Sequence, residues 1–245
     1  MHLSTDGIII KETIARENDK YIVALTRHAG LITAYARGAR RIKSKNATAS
    51  GLLCYADLTF YKGKDTYQLD EASAREVFFD LRSDIVKLSL AQYFCELALC
   101  LAPEGGEAEE FLRLMLNALH YLCKGTRDMY CVKAIVELRM LCLAGYMPDL
   151  TACCACQRDE ADILYFDVRG GVLYCADCKP QTAGLIPLNR TVLAAMRHIA
   201  YSEFDRLFRF TLPEATAKEL TRATERFLLH QVERGFNTLD FYHTL

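Results

Sequence analysis

Residues 152–180, ACCACQRDEADILYFDVRGGVLYCADCKP, hold five of the chain's eleven cysteines. Four of these form two pairs, Cys153-x-x-Cys156 and Cys175-x-x-Cys178, which are separated by eighteen residues. This spacing is typical of two turns that each present two thiolates to one tetrahedral Zn²⁺. The segment between the pairs, ILYFDVRGGVLYC, predicts two short strands joined by an Arg-Gly-Gly turn. Such a hairpin would bring both cysteine turns to the same end.

Cys154 adjoins Cys153, but only Cys153 has the two-residue spacing to Cys156. Cys153 is therefore the predicted ligand, and Cys154 is a spare thiol. Four thiolates leave no open coordination position, so the predicted ion is structural, one Zn²⁺ per chain. The alternative interpretation is plain burial of thiols. Burial is predicted for the other six cysteines, Cys54, Cys95, Cys100, Cys123, Cys131 and Cys142.

The composition favours a chain that builds its core from apolar residues alone. Of its 245 residues, 51% are hydrophobic, which allows a sizeable core without cross-links. No charged-then-apolar leader and no run of eighteen uncharged apolar residues occurs, so we expect a cytoplasmic protein without a membrane span. Disulfides are not expected in that reducing compartment.

The first eighty residues predict strands. Five short segments rich in β-branched and aromatic residues are separated by polar or glycine-bearing breaks: DGIIIKE, DKYIVALT, GLITAYA, LLCYADLTFY and TYQLDEA. The tetrapeptide RHAG, residues 27–30, suits a tight hairpin between the second and third segments. Five strands are what a small closed barrel of the OB type needs. An SH3-like barrel fits the same count.

From Ser83 onward the pattern becomes helical. Ser83 is the predicted N-cap of an apolar helix, and two more helices follow within residues 106–125 and 127–148, which together predict a compact bundle. Further helices are predicted at 187–202 and 213–235. The expected fold is α+β and multidomain: a five-stranded OB-type barrel over residues 1–80, then a helical domain over 81–245. The zinc element at 151–180 is inserted in the second domain.

Basic residues cluster in the barrel region. Between Lys20 and Ala56 there are seven Lys or Arg and no Asp or Glu. A flexible loop over residues 36–53 could follow a phosphate backbone, although a merely solvated loop is the commoner use of such a run. Tyr35, Tyr55, Phe60, Tyr61 and Tyr67 could stack on bases, with about half of them expected to face the core. The candidate DNA-binding residues are Arg27, Arg37, Arg40, Arg41, Lys43, Lys45 and Lys62.

Signatures of catalysis are absent from the sequence. GxGxxG, GxxxxGK[ST], GxSxG and HExxH do not occur, and none of the six histidines precedes a glutamate by two residues as in zinc deaminases. The expectation is a protein that is not an enzyme.

Several ordered segments resemble the bacterial recombination mediator family RecO. These are ENDKYIVALTRHAGLITAYARGARRIKSK at 17–45, YKGKDTYQLDEA at 61–72 and VELRMLCLAGYMPDLTACCAC at 136–156. The resemblance implies an OB domain, a helical domain and a zinc element held by Cys153, Cys156, Cys175 and Cys178. It also implies binding of single- and double-stranded DNA, with contacts from Arg37, Arg40, Arg41, Lys43 and Lys45.

The resemblance further implies annealing of complementary strands without nucleotide hydrolysis. It implies partners as well: RecR, and often RecF, in loading RecA onto DNA coated by the single-strand-binding protein SSB, in a nucleoid-associated location. Two other functions remain open from the residues. One is a protein-interaction adapter whose helical and zinc regions dock partners, with DNA contact secondary. The other is a metal-dependent nucleic-acid enzyme, which a closed four-thiolate site disfavours.

Overall fold

A computed structural model describes residues 2–41, 43–64, 66–181 and 184–245. The chain divides into two compact units, one of Met1–Cys123 with Thr238–Leu245 and one of Lys124–Asn237. The domain boundary near residue 80 stays a prediction. Within the described residues, no helix combines the length and the apolar character needed to cross a membrane.

The first unit contains a closed five-stranded barrel. Its strands are β1 (His2–Arg16), β2 (Asp19–Thr26), β3 (Gly30–Ala36), β4 (Cys54–Lys62) and β5 (Tyr67–Val77). Their order around the barrel is β1-β2-β3-β5-β4. The pair β3–β5 is parallel, and the other pairs are antiparallel. The five predicted strands are confirmed, and the architecture is that of an OB-type barrel.

Alternation along the strands explains why these segments form a barrel. In β3 and in most of β4, every second residue is buried. The inward side chains are small or branched, among them Ile9, Ile22, Ala34 and Ala56, which suits a narrow barrel. Ile8 and Ile10, beside Ile9 in β1, are buried as well, and β1 contacts the first helix.

The β2–β3 hairpin packs against the segment that follows the first helix. The Leu31 N–H donates to the Pro103 carbonyl at 2.9 Å, and the Ala108 N–H donates to the Arg27 carbonyl at 2.9 Å. Gly30 has φ +62°, and a Cβ at this position would lie 2.2 Å from the Pro103 oxygen. Only glycine therefore allows this close approach.

Among the described residues, six α-helices follow the barrel: α1 (Ile85–Leu101), α2 (Glu109–Lys124), α3 (Met129–Leu143), α4 (Arg190–Tyr201), α5 (Glu214–Val232) and α6 (Asn237–Tyr242). The predicted N-cap of α1 is wrong by one residue. Asp84 caps the helix by accepting N–H groups of Val86 and Lys87. Ser83 ends a preceding 3₁₀ turn, and its hydroxyl donates to the Asp80 carbonyl at 2.7 Å.

In the second unit, α3 packs against α4 and α5. A three-stranded sheet accompanies them, in the order β7 (Val172–Tyr174), β6 (Ile163–Asp167), β8 (Ile186–Asn189). The Phe166 ring of β6 meets the Phe227 ring of α5 edge-on at 5.2 Å. The four-cysteine element is thereby anchored on the helices. The predicted β6–β7 hairpin is confirmed.

Two sequence expectations differ from this architecture. Residues 187–189 form part of the edge strand β8 rather than a helix, and Asn189 caps α4 by accepting the Val192 N–H. Pro187 is compatible with an edge strand because it needs no ladder donor there. The helices are also grouped differently from the expected three-helix bundle. The helices α1 and α2 belong to the unit of the barrel, and α3 belongs to the other unit.

Candidate functional site

The structure brings together the four cysteines predicted as zinc ligands. The sulfur atoms of Cys153, Cys156, Cys175 and Cys178 all lie within 4.8 Å of one another. The Cys156 and Cys175 sulfurs are 3.7 Å apart. A tetrahedral site with Zn–S bonds of about 2.3 Å requires sulfur–sulfur distances of about 3.8 Å. The donor set and its spacing therefore fit one Zn²⁺.

Local hydrogen bonds shape the two cysteine turns. The Cys153 carbonyl accepts the Gln157 N–H at 2.8 Å, and the Cys175 carbonyl accepts the Lys179 N–H at 3.0 Å. The Cys154 N–H donates to the Leu173 carbonyl at 2.8 Å, which ties the first turn to β7. The hairpin thus holds both turns at one end, as its sequence predicted.

Cys154 lies outside the cluster. It is exposed, and its sulfur accepts a hydrogen bond from the Tyr174 hydroxyl, which raises the pKa of Tyr174. The structure therefore separates the two adjacent cysteines, because successive side chains leave the chain in different directions.

The thiols of the cluster are unequal in acidity. Burial favours the neutral form of Cys153, but N–H groups of Cys156, Cys175 and Ala155 surround its sulfur and lower its pKa to about 6. The Cys178 thiol donates to Cys175 and Cys156, which raises the pKa of Cys178 to about 12. A divalent cation would displace the remaining protons on binding.

The other six cysteines are free thiols in packed positions, and none is exposed. Burial raises the pKa of Cys54 to about 11 and of Cys95 to about 12. Cys54 and Cys95 are therefore packing residues with little thiolate at neutral pH.

The described residues of the basic loop, 37–41 and 43–53, lie mostly in successive turns. The Arg41 N–H donates to the Gly38 carbonyl at 3.1 Å, and the Ser44 N–H to the Arg41 carbonyl at 2.9 Å. The Asn46 side chain bridges to β5, donating to the Asp70 carbonyl and accepting the Ala72 N–H. These bonds tie the loop to itself and to β5.

One open groove of about 700 Å³ collects cations and aromatic rings at one end of the barrel. Its walls come from the β1–β2 hairpin, the start of the basic loop and the start of β5. Arg16, Arg37 and Arg41 line it and are exposed. Tyr21 and Tyr35 line it too, with ring centroids 5.3 Å apart.

Asp19 organises this groove. Its carboxylate accepts the Tyr35 hydroxyl and the Gly38 N–H, the latter at 2.7 Å. These two bonds lower the pKa of Asp19, and the charges of Arg16 and Arg37 add to the effect. The acid therefore orients the tyrosine and the loop.

Arg40 braces the same hairpin. Its guanidinium donates to the Glu17 carbonyl at 2.8 Å and to the Arg16 carbonyl at 3.2 Å. Its own N–H donates to the Asn18 carbonyl at 3.1 Å. Arg40 is exposed, and part of its donor capacity is used within the protein.

A second hollow of about 490 Å³ adjoins the first, because Arg37 and Gln68 line both. Its other walls include Lys45 and Tyr61. Lys43 is exposed in the same loop, and Lys62 is exposed over the Tyr67 ring at 5.5 Å. Five of the seven predicted cations thus lie in the basic loop, and two of them, Arg37 and Arg41, line the first groove.

Arg27 lies at the other end of β2, about 20 Å away along the strand. Its guanidinium donates to both oxygens of the Asp6 carboxylate, at 2.9 and 2.7 Å, and to Glu109 on α2 at 2.6 Å. The bond from Arg27 and that from Tyr55 outweigh burial and lower the pKa of Asp6 to about 2. Arg27 therefore links β1 of the barrel to α2 through two ion pairs, as a structural residue does.

The candidate aromatics divide between core and surface. Phe60 is completely buried, whereas Tyr61 is 46% exposed. The Tyr55 hydroxyl donates to Asp6. Two groove residues, Arg16 and Tyr21, were missed by sequence reasoning. Strand register places both: Tyr21 pairs with Tyr35 across β2 and β3, and Arg16 pairs with Asp19 across β1 and β2.

Comparison with known proteins covers nearly the whole chain. The family described as Recombination protein O N terminal matches residues 1–78, and Recombination protein O C terminal matches residues 82–240. The DNA repair protein RecO of Acetivibrio thermocellus is 31% identical, over 100% of this chain and 97% of its own length. That of Symbiobacterium thermophilum is 31% identical, over 99% and 97%. That of Dehalococcoides mccartyi strain CBDB1 is 28% identical, over 96% and 94%. With both of its regions matched, this chain belongs to the RecO family.

Proposed function

We propose that this chain is a DNA-repair and recombination protein that binds DNA through the groove on its barrel and anneals complementary strands without nucleotide hydrolysis. One observation carries the proposal: Arg16, Arg37 and Arg41 converge with two tyrosines in an open groove of an OB-type barrel. Barrels of this kind use such faces for oligonucleotides. The names of the RecO relatives point to the same process.

The chemistry of the groove suits phosphate binding. Guanidinium groups pair with phosphate oxygens in a bidentate manner and neutralise them. Neutralising two strands on one surface lowers their mutual repulsion, and this permits pairing without an energy source. Aromatic rings nearby hold unpaired bases by stacking. These properties support an annealing factor that is not an enzyme.

The four-cysteine cluster holds one structural Zn²⁺ in this proposal. When bound, the ion would supply four Zn–S bonds that tie the two turns together, with no open position for substrate. Phe166, Leu164 and Leu173 are buried in this element, so the apolar side and the metal end stabilise it jointly.

In the same proposal, the chain works with RecR, and often with RecF, to load RecA on SSB-coated single strands. Residues 1–80 form the DNA-binding domain, and residues 81–245 form the helical domain. An adapter function is the second candidate. It is favoured by an apolar hollow of about 610 Å³ in the second unit, lined by Ile186, Leu188 and Val192 among others.

Strand annealing over a salt series, without ATP, tests the DNA function. The triple variant Arg16→Ala/Arg37→Ala/Arg41→Ala should anneal more slowly and bind more weakly. Its slope of log affinity against log salt should fall by about 2 on single strands, since each lost phosphate contact contributes about 0.7. The matched control is Arg169→Ala/Arg209→Ala/Arg222→Ala, which removes three exposed arginines of the second unit.

The outcomes separate the two candidates. Salt-sensitive annealing by the wild-type chain, reduced in the groove variant and kept in the control, supports the DNA function. An unchanged salt slope in the groove variant counts against the groove. Absence of annealing from folded, zinc-loaded protein that binds RecR tightly selects the adapter.

A further inference from the structure

A single row of outward side chains crosses all five strands of the barrel. The register pairs His2 with Tyr61 across β1 and β4, and Tyr61 with Gln68 across β4 and β5. It then pairs Gln68 with Tyr35 across β5 and β3, and Tyr35 with Tyr21 across β3 and β2. The row therefore reads His2, Tyr61, Gln68, Tyr35, Tyr21.

The row extends along both hollows. Neighbouring strands lie about 4.8 Å apart, so four steps span about 19 Å. Gln68 stands at its centre and lines both hollows together with Arg37. At one end the His2 and Tyr61 rings meet edge-on at 5.5 Å, and at the other the Tyr21 and Tyr35 rings meet edge-on at 5.3 Å.

Two members of the row offer large exposed rings. Tyr61 is 46% exposed and Tyr21 is 44% exposed. Tyr35 is half-buried and held by Asp19 through its hydroxyl. The exposed Tyr61 and Tyr21 rings thus lie on either side of Tyr35, whose orientation is held by Asp19.

The charges along the row are uneven. Arg16, Arg37 and Arg41 line the hollow at the Tyr21 end. At the Tyr61 end, Lys45 lies 3.5 Å from Glu71 and the His2 ring lies 3.8 Å from Asp70, so two carboxylates stand near this end of the row. The exposed Tyr61 ring beside these carboxylates suits a neutral base, and Arg37, which lines both hollows, supplies a cation for a phosphate.

We infer that this row is a stacking track for the unpaired bases of one DNA strand, with Tyr61 and Tyr21 as its two platforms. The inference rests on the proposed DNA binding and deepens it. Arg37, beside the centre, holds a phosphate between the two platforms, and the Gln68 amide is placed to hydrogen-bond a base edge. A duplex hides its base faces within its own stack, so the track binds single strands selectively, whereas the arginines serve either form.

The test compares single-stranded and duplex affinity in platform variants. Tyr61→Ala should weaken binding of an oligothymidine by about tenfold, the effect of losing one base–aromatic stack, and should leave duplex affinity within about twofold. Tyr61→Phe keeps the ring and should retain single-strand affinity. Tyr146→Ala is the matched control, because Tyr146 is 42% exposed and lies in the second unit.

A spectroscopic readout reports stacking directly. The chain contains no tryptophan. Tyr61→Trp therefore introduces one unique indole, and its fluorescence should be quenched by the oligothymidine but much less by a duplex at equal saturation.

Four outcomes are distinguishable. Selective loss in Tyr61→Ala with quenching in Tyr61→Trp supports the track. Equal losses for single strand and duplex in Tyr61→Ala overturn it, as does unchanged affinity in a folded variant. If either of these results is found while the groove arginines still determine the salt slope, the stacking track is wrong and the proposed DNA-binding function stands. If the wild-type chain binds neither form of DNA, both fail.

Discussion

The Asp6–Arg27 pair offers a sharp test of the role of Arg27. The Asp6 side chain is 9% exposed, and it accepts three hydrogen bonds from Arg27 and one from Tyr55, with the Arg75 guanidinium 3.7 Å away. The substitution Asp6→Asn keeps the shape and removes the charge. If the role of Arg27 is structural, this change destabilises the barrel and leaves DNA binding nearly unaffected.

The expected magnitude follows from the pKa. The pKa of Asp6 falls from 3.8 to about 2 in the folded protein. One pKa unit is worth about 1.4 kcal/mol, so the charged form contributes about 2 kcal/mol to the free energy of unfolding. Because the folded pKa is the lower one, this contribution is complete above pH 3.8 and is lost as the pH falls toward 2.

The assay is urea unfolding with hydrogen exchange of peptides from β1 and β2, which reads the barrel separately from the second unit. At pH 7, Asp6→Asn should lower the free energy of unfolding by about 2 kcal/mol. Near pH 2 the variant and the wild type should be equally stable. Glu71→Gln is the matched control in the same barrel: Glu71 pairs with Lys45 at 3.5 Å but is 66% exposed, so its loss should cost less than about 1 kcal/mol.

Two results would refute this reasoning. A difference that persists unchanged down to pH 2 would show that charge is not the cause. A loss of DNA affinity in Asp6→Asn or Arg27→Ala as large as that of the groove variant, at equal folding, would return Arg27 to the DNA contacts predicted from the sequence.

Two further predictions concern the second unit. Native mass spectrometry should find one zinc per wild-type chain and none in Cys175→Ser, which should also have a lower melting temperature. Cys154→Ser should retain one zinc per chain. Equal zinc loss in both variants would contradict the proposed ligand set. Lys133 is 1% exposed and donates to Glu137 and Glu225 at 2.6 Å each. Lys133→Met leaves the fully buried Glu137 without its cation and should cost about 3–5 kcal/mol in urea unfolding, of which Lys133→Met/Glu137→Leu should recover a large part. A double variant as unstable as the single one would show that packing, not charge, dominates.

Local chemistry accounts for the parts of the protein that the sequence predicted well. Alternation of apolar and polar residues with a period of two depends only on neighbouring residues, so the five barrel strands could be predicted from the sequence. The two CxxC pairs were equally readable, because each turn is four residues long and the intervening hairpin brings the turns together. The choice of Cys153 over Cys154 followed from the same spacing.

Where two local signals competed, the sequence could not choose between them. Ser83 and Asp84 are both good N-caps, and the extended backbone of Asp84 decided in its favour. Residues 187–189 carry no clear period, and pairing with β6 made them a strand. Glu137 and Arg139, in a segment that carried the family resemblance, were revealed as structural residues only by contacts far along the chain. Glu137 accepts from Thr224, and Arg139 donates to the Ala200 carbonyl at 2.9 Å.

The sequence by itself determined the strands, the four cysteines that cluster and the presence of basic residues in the barrel unit, since each depends on residues close together in the chain. The tertiary structure alone decided which cations share a surface. Arg16 lies in the same groove as Arg37 and Arg41 because the β1–β2 hairpin and the basic loop meet at one end of the barrel. Arg27 lies at the other end, where it pairs with Asp6. The row from His2 to Tyr21 likewise exists only through register, because hydrogen-bonded ladders align residues that are dozens of positions apart.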